Sequence, residues 1–315
     1  LLASSAASDV YKRQTTLCRS SVPLFVMLSG FLLLPMQEKI STFFRKRFTR
    51  IVYPFIAWCV LYAGYYVLSR GDSFSQMALN ILHIPVNFGC EIGHLWYIYM
   101  LIGLYLVTPI ISPWLQQASK RELEGYLGLW IITTFLPYIH LVYPEVLGEA
   151  FWNDTPLLYY FTGFIGYFIL GYYLKRFGYP SAALSWIILI VGFALSAGIF
   201  CSRIDTVPTV PELELSWGFC TVNVFLMTLG LFSLIGRLSL KGKNATCKLL
   251  SDISIKSYGM YLAHILFLNF YYGLFKSISD AAYVTIPLIA VCTFITVYIF
   301  VYLLSYLPKS KYIIG

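Results

Sequence analysis

The sequence has very little charge. Of its 315 residues, 11% are Asp, Glu, Lys or Arg, whereas a soluble domain carries about 25%. Because so few charges cannot cover a water-facing surface of this size, an ordinary soluble enzyme is excluded, and a hydrophobic content of 59% excludes a disordered protein. The composition therefore predicts an integral membrane protein. Since one spanning helix needs about 20 apolar residues, there is room for about nine helices and for no sizeable water-soluble domain.

Closely spaced cysteines are also lacking. The seven cysteines are scattered along the chain, and no two of them form a C-x-x-C pair. This excludes a disulfide-rich secreted module and gives no metal-binding cluster. The four histidines show no metal-ligand spacing either. We therefore expect no metal cofactor.

Long apolar segments dominate the chain instead. Short strands of alternating polarity, which a membrane barrel would need, are not seen. We predict an all-α, polytopic helical membrane protein with about nine transmembrane helices. The predicted segments lie near residues 21–36, 51–69, 93–112, 126–143, 156–174, 182–201, 215–236, 257–275 and 281–307.

The basic residues are concentrated in alternate connections between these segments. One set of connections, together with the C-terminus, holds Lys39, Arg45, Lys46, Arg47, Arg50, Lys120, Arg121, Lys175, Arg176, Arg237, Lys241, Lys243, Lys248, Lys256, Lys309 and Lys311. The other set holds Arg70, Arg203, Lys276 and most of the acidic residues. By the positive-inside rule, the first set and the C-terminus face the cytoplasm. This asymmetry accounts for the net charge of +8 without a nucleic-acid partner.

The N-terminal stretch differs from the rest of the chain. Residues 1–14 are small and polar, and we predict that they are a non-native junction segment outside the fold. A genuine extracytoplasmic loop or leader is the alternative. Residues 15–315 are predicted to form a single membrane-embedded domain. Because the charge pattern places Thr15 outside, we expect an intact fold of ten helices whose first helix is missing here.

The densest polar feature is the run RKRFTRIVYP at residues 45–54. Arg47 and Arg50 are three residues apart and would share a face of an α-helix. Arginine forks suit phosphate oxygens, so the run could bind a phosphorylated cytoplasmic donor. A topology anchor that also meets anionic lipid is the alternative.

Four blocks of the sequence resemble a known family. They are VPLFVMLSGFLL at 22–33, the basic run at 45–54, HLWYIY at 94–99 leading to LYLVTP at 104–109, and SYGMYLAH at 257–264. Together they resemble the acyltransferase-3 family of multi-spanning bacterial membrane O-acyltransferases, in the branch without a fused soluble domain. The resemblance implies transfer of an acyl group, usually acetyl, from cytoplasmic acyl-CoA to a hydroxyl of a glycan or lipid-linked sugar handled at the outer face of the cytoplasmic membrane.

The resemblance also implies where the donor would bind. Arg45, Lys46, Arg47 and Arg50 are expected to hold the phosphates of acyl-CoA or to organise the acyl passage. The family's catalytic histidine lies on the first helix, which we expect to be missing, so the catalytic base is not identified. His264, on a late helix, is the candidate within the chain, with a hydrogen-bonded packing histidine as its alternative.

Four further residues are candidates for contact with the acceptor: Glu91, His94, Trp96 and Asp154. A place at the membrane interface is the alternative for each, because aromatic and polar side chains collect there. The expected partners are the lipid bilayer and a glycan or glycolipid, and the oligomeric state stays open. A transporter or flippase for a lipid-linked glycan is the rival function, although no paired halves with broken helices are seen.

Overall fold

The computed structural model describes residues 19–143, 158–204, 206–207, 209–238, 245–276 and 282–315. Within these ranges the chain is helical and contains no strand, so the predicted all-α fold is confirmed. The predicted junction segment at 1–14 and the acceptor candidate Asp154 lie outside the described residues.

The described helices have the following bounds. They are α1 (Ser21–Leu33), α2 (Ile40–Arg47), α3 (Tyr53–Arg70), α4 (Phe74–Leu82), α5 (Phe88–Glu91), α6 (Trp96–Gln117), α7 (Lys120–Thr133), α8 (Leu136–Val142), α9 (Phe164–Phe177), α10 (Ala182–Arg203), α11 (Val210–Glu214), α12 (Val222–Ile235), α13 (Ala245–Lys276) and α14 (Ala282–Leu304). A π-helical turn at Phe48–Val52 joins α2 to α3, and 3-10 turns lie at Tyr159–Phe161, Leu215–Trp217 and Ser310–Tyr312.

Six stretches of described helix are long and apolar enough to cross a membrane: Ile40–Arg70, Trp96–Gln117, Lys120–Val142, Ala182–Arg203, Glu212–Ile235 and Val284–Leu304. Each of them coincides with one of the predicted segments. The other three predicted segments also contain helices, namely α1, α9 and α13. The chain is therefore a polytopic helical membrane protein.

The helices fall into two compact units. Unit 1 comprises the described residues of Gln37–Leu106 and Leu240–Gly315, and unit 2 those of Asp9–Met36 and Val107–Ser239. Helix α6 contributes to both units, because the boundary falls within it. Unit 1 therefore contains the whole basic run together with His94 and His264.

In unit 2, helices α1 and α9 pack with their backbones in contact. A Cβ atom on Gly30 would lie 1.8 Å from the carbonyl oxygen of Phe168, and one on Gly171 would lie 2.0 Å from the carbonyl oxygen of Met27. Only glycine permits so close an approach, which is a common device of helix packing in membranes. Gly30 lies in the block at 22–33 that carries the family resemblance, and the close contact of α1 with α9 explains why this position is glycine.

The same contacts give the relative direction of these two helices. Lys175 lies four residues beyond Gly171, and Leu34 lies four residues beyond Gly30. The Lys175 Nζ lies 3.4 Å from the Leu34 carbonyl oxygen and donates a hydrogen bond to it. Because both helices advance together from one contact to the next, α1 and α9 run parallel.

The neighbouring pair in unit 2 runs the other way. A Cβ on Gly192 of α10 would lie 2.6 Å from the backbone nitrogen of Met227 in α12. A Cβ on Gly230, further along α12, would lie 2.7 Å from the carbonyl oxygen of Ser185, which is earlier in α10. Helices α10 and α12 are therefore antiparallel.

In unit 1, helices α13 and α14 are also antiparallel. The rings of Phe267 and Phe300 lie 5.2 Å apart. One turn later in α13, the Tyr271 hydroxyl lies 2.7 Å from Oγ1 of Thr296, which comes earlier in α14. A polar contact of this kind between apolar helices gives both hydroxyls a hydrogen-bond partner, which lipid chains cannot provide.

The C-terminal segment of unit 1 packs against α3 and α13. The indole Nε1 of Trp58 donates a hydrogen bond of 2.9 Å to the Ile313 carbonyl oxygen. The side chain of Ile314 is buried, and a Cβ on Gly259 would lie 2.8 Å from the Ile314 Cβ. Gly259 therefore makes room on α13 for this segment.

The helix through the basic run contains the π turn because of a proline. Pro54, at the start of α3, has no amide hydrogen and cannot donate to the carbonyl of Arg50, four residues before it. The amide of Tyr53 donates instead to Phe48, five residues before it. The regular α-helical ladder is thus displaced at Arg50. Turns of this kind frequently mark functional positions.

Candidate active site

The basic run lies in unit 1, on α2 and the π turn. Lys46 forms an ion pair with Glu38. Arg45 and Arg50 are exposed, whereas Arg47 is half-buried. The four predicted donor residues therefore differ in their surroundings, and Arg47 is the one drawn into the unit.

Arg47 is held over two aromatic rings. Its guanidinium carbon lies 5.3 Å from the ring centre of Phe43 and 5.9 Å from that of Tyr105, within the range of cation–π attraction. Its Nε atom is buried and has no hydrogen-bond partner. A buried N–H without an acceptor is rare, and phosphate oxygens are acceptors that a guanidinium binds well. Arg47 is therefore the predicted donor residue whose geometry best suits a phosphorylated ligand.

The π turn alters the relation between Arg47 and Arg50. The sequence spacing predicted that the two side chains share a face, as they would on an α-helix. A π turn contains more residues per turn, so the angle between the two side chains is wider. This agrees with the structure, in which Arg47 is half-buried and Arg50 is exposed.

A row of rings on one face of α13, here called the aromatic column, extends from the π turn. Its members are Tyr258, Tyr261 and His264, spaced three residues apart. The ring centres of Tyr258 and Tyr261 lie 6.4 Å apart, and those of Tyr261 and His264 lie 5.9 Å apart. The Tyr258 hydroxyl donates a hydrogen bond of 2.8 Å to the carbonyl oxygen of Ile51 in the π turn. The column therefore connects the end of unit 1 that carries the arginines to His264.

At the far end of the column two histidines face each other, here called the histidine pair. His94 lies in the connection between α5 and α6, and its ring centre lies 4.6 Å from that of His264, with the ring planes at 78°. The rings of Tyr62 and Tyr261 lie 5.8 Å and 5.3 Å from the His94 ring. Two of the sequence candidates, from different parts of the chain, thus meet in one place.

The electrostatics of His94 are unusual. Both of its ring nitrogens are buried and make no well-aligned hydrogen bond, and only weak backbone contacts from Leu262, Ile92 and Tyr261 act on the ring. Burial, and next the facing His264 ring, lower the pKa of His94 well below its ordinary value. Because this pKa lies well below 7, the imidazole is neutral at neutral pH and carries one hydrogen-bond donor and one acceptor.

The other predicted acceptor residues are placed differently. Trp96 is the first residue of α6, and its ring lies 6.4 Å from that of Tyr97, which in turn lies 5.8 Å from Tyr261. Trp96 is thus linked to the aromatic column through Tyr97. Glu91 is exposed at the end of α5. The structure brings Trp96 and His94 to the same region and leaves Glu91 at the surface.

The sequence analysis missed two tyrosines of this region. Tyr261 could have been found, because it stands midway between Tyr258 and His264 at helical spacing. Tyr62 is fully buried, and its hydroxyl donates a hydrogen bond of 2.9 Å to the Leu262 carbonyl oxygen. No local pattern predicts that contact, since its partners lie 200 residues apart.

Metal binding is the next chemistry to consider for this region. In the part of the chain that the structure describes, no group of three or more His, Cys, Asp or Glu residues could hold a metal ion. The chemistry that this region can supply is that of arginine, imidazole and tyrosine hydroxyl groups.

Comparison with known proteins gives one match. The family model of an acyltransferase domain matches residues 3–306, nearly the whole chain. No curated protein and no solved structure matches the chain. The four blocks quoted from the sequence all fall within the matched range.

Proposed function

The chain belongs to this acyltransferase family, and on that premise we propose that it moves an acyl group from cytoplasmic acyl-CoA to a glycan. We propose acetyl as the group and a hydroxyl of a cell-surface glycan or lipid-linked sugar as the acceptor. The bacterial cytoplasmic membrane is the proposed location. The observation that carries the proposal is the aromatic column, which joins the π turn that follows Arg47 to the histidine pair within one unit.

A donor on one side of a membrane and an acceptor on the other set three requirements. The donor phosphates need fixed cations, the acyl group needs a route that excludes water, and the acceptor hydroxyl needs a base. Unit 1 holds candidates for all three in sequence: Arg47, the rings of Tyr258 and Tyr261, and the histidine pair. An arginine at the cytoplasmic end suits a pyrophosphate because it keeps its charge at every physiological pH.

The donor site is tested by acetyl-CoA binding to the purified chain in detergent. We expect Arg47→Ala to weaken binding about 10- to 100-fold, because a hydrogen bond to a charged group contributes about 1.5–3 kcal/mol. Arg50→Ala should act in the same direction. Binding is measured by the rise in unfolding temperature across a titration of acetyl-CoA.

Arg121→Ala is the control, matched to Arg50→Ala, since it removes an exposed arginine from the start of α7, on the same predicted side. It should leave binding unchanged. If the native chain gains no stability from acetyl-CoA, the acyltransferase proposal fails and transport of a lipid-linked glycan becomes the better reading. If all three variants bind equally, the donor site lies elsewhere.

The directions of packed helices support the alternation of membrane crossings that the charge pattern predicts, whichever side is cytoplasmic. The charge pattern directs both α1 and α9 inward, and these helices are parallel in unit 2. It directs α10 and α12 in opposite senses, and they are antiparallel. It also directs α13 and α14 in opposite senses, and these two helices are antiparallel in unit 1.

Cysteine labelling tests which connections face the cytoplasm. Cys90 is exposed in a connection that the charge pattern places outside. In a chain whose other cysteines are replaced, a membrane-impermeant maleimide should label Cys90 on intact cells. After Cys90→Ser, a cysteine introduced by Lys39→Cys should react only once the cells are opened. The reverse pattern would contradict a cytoplasmic donor site in this chain.

A further inference from the structure

An apolar groove lies beside α1 in unit 2 and is here called the α1–α12 groove. Its volume is about 510 Å³, which is within the range of sites that hold a small-molecule ligand. One face of α1, between residues 21 and 31, forms one wall, and Tyr179 with residues 232–238, at the end of α12, forms the other. Phe25 and Leu238 are 55% and 70% exposed, so the groove is open to the surroundings of the unit.

Three aromatic rings form a row along one end of this groove. The Phe232 ring lies 6.1 Å from the Phe31 ring of α1 and 6.4 Å from the Tyr179 ring. Gly236 makes room for the last of these, because a Cβ at Gly236 would lie 2.4 Å from Cζ of Tyr179. The ring row is therefore held by packing between α1, the end of α12 and the connection after α9.

Each end of the ring row carries an exposed cation. Nζ of Lys175 lies 5.8 Å from the ring centre of Phe31, and the guanidinium carbon of Arg237 lies 6.0 Å from that of Tyr179. Both cations donate hydrogen bonds to neutral backbone carbonyl oxygens. Neither takes part in an ion pair within the described part of the chain. Two positive charges beside the groove are thus not neutralised by a described acidic side chain.

The combination of groove and cations indicates the kind of ligand. Because lipid chains are as apolar as leucine, the groove by itself selects no particular lipid. The two cations do select, since basic pockets between membrane helices on the cytoplasmic side bind anionic headgroups. Lys175 and Arg237 belong to the set that the charge pattern places on that side. A headgroup over the ring row would lie close enough to both cations to escape most screening by salt.

We infer that the α1–α12 groove binds one anionic phospholipid. An acyl chain lies along α1, and the headgroup lies over the ring row between Lys175 and Arg237. The cations favour a lipid over a helix from a second copy of the chain, because an apolar helix brings no negative charge to the ring row. The bound lipid fills the space beside α1. This site lies wholly in unit 2 and does not depend on the proposed reaction.

The test compares two lipids that differ only in headgroup charge. Native mass spectrometry measures the affinity of the full chain in detergent for phosphatidylglycerol and for phosphatidylcholine with the same acyl chains. The native chain should bind one phosphatidylglycerol about 10- to 30-fold more tightly, since two basic side chains act on its headgroup. Lys175→Gln combined with Arg237→Gln should abolish this preference. Lys175→Arg combined with Arg237→Lys keeps both charges and should retain it.

A second double variant is the matched control. Arg121→Gln combined with Lys248→Gln also removes one arginine and one lysine, both exposed and on the same predicted side, and it should keep the preference. A native chain with no preference would overturn the inference. So would an equal loss in the two glutamine double variants, because the attraction would then belong to the basic surface as a whole.

The position of the acyl chain is tested by crosslinking. Phosphatidylglycerol with a diazirine in the middle of one acyl chain should label residues 21–31 or 232–238. Leu28→Trp should reduce this labelling, because Leu28 lines the groove and tryptophan would fill part of it. Labelling confined to other segments would contradict the site. A dimer of the chain that loses its lipid labelling would show that a second copy occupies the groove instead.

Discussion

Replacing Gly30 with valine is expected to destabilise unit 2 by about 3 kcal/mol, the upper part of the usual range for overpacking. The reason is geometric. A Cβ at this position would lie 1.8 Å from the carbonyl oxygen of Phe168, and the obstacle is backbone rather than a side chain that could rotate away. Helices α1 and α9 would have to separate. Gly171→Val should act in the same way, because its Cβ would meet the Met27 carbonyl oxygen at 2.0 Å.

Thermal unfolding of the detergent-solubilised variants measures this effect. Gly64→Ala is the control, since a Cβ on Gly64 of α3 would meet nothing within 4 Å. That change should be neutral or stabilise the helix by up to about 1 kcal/mol, because alanine is the better helix former. Equal unfolding temperatures for the Gly30 and Gly64 variants would contradict the close backbone packing of α1 and α9.

Replacing Trp58 with alanine is expected to cost about 3–5 kcal/mol, the usual range for removing a large aromatic side chain from a core. Trp58 is 1% exposed and contacts the rings of Tyr62 and Phe300. Its indole N–H also donates a hydrogen bond to the Ile313 carbonyl oxygen. The variant should therefore lose the C-terminal segment as well as core volume. Both the unfolding temperature and acetyl-CoA binding should fall.

Two other variants separate these effects. Trp58→Phe keeps most of the ring volume but loses the hydrogen bond to Ile313, so it should cost about 1 kcal/mol. Trp186→Ala removes the same side chain from a position that is 55% exposed, and it should leave the stability of unit 1 unchanged. A Trp58→Ala chain that unfolds at the native temperature would contradict the packing of the C-terminal segment on α3.

The fold class could be predicted from composition because lipid leaves few solutions to the backbone. With so little charge and long apolar segments, the chain must pair its amide groups within helices. The nine predicted segments all contain helix, although α1 has only 13 residues. An interruption of the helix near Arg50 was also within reach of the sequence, since Pro54 cannot donate to the carbonyl of Arg50.

The candidate site was only partly predictable. Its arginines and histidines could be named from motifs, but the contact between the two histidines could not be predicted from them. His94 and His264 are brought together by the packing of α13 against the connection before α6, and no local spacing encodes a contact over that separation. The same holds for Tyr62, whose hydroxyl bonds a carbonyl 200 residues away. Periodicity predicts which face of a helix is buried, but not which helix covers it.

The parallel packing of α1 and α9 constrains the connectivity of the whole membrane domain. If both helices cross the bilayer, as the predicted segments 21–36 and 156–174 require, the intervening chain must traverse it an odd number of times. Among the described residues between them, three stretches are long and apolar enough to do so: Ile40–Arg70, Trp96–Gln117 and Lys120–Val142. This odd number agrees with the parallel contact of α1 with α9, an argument that uses no loop charge.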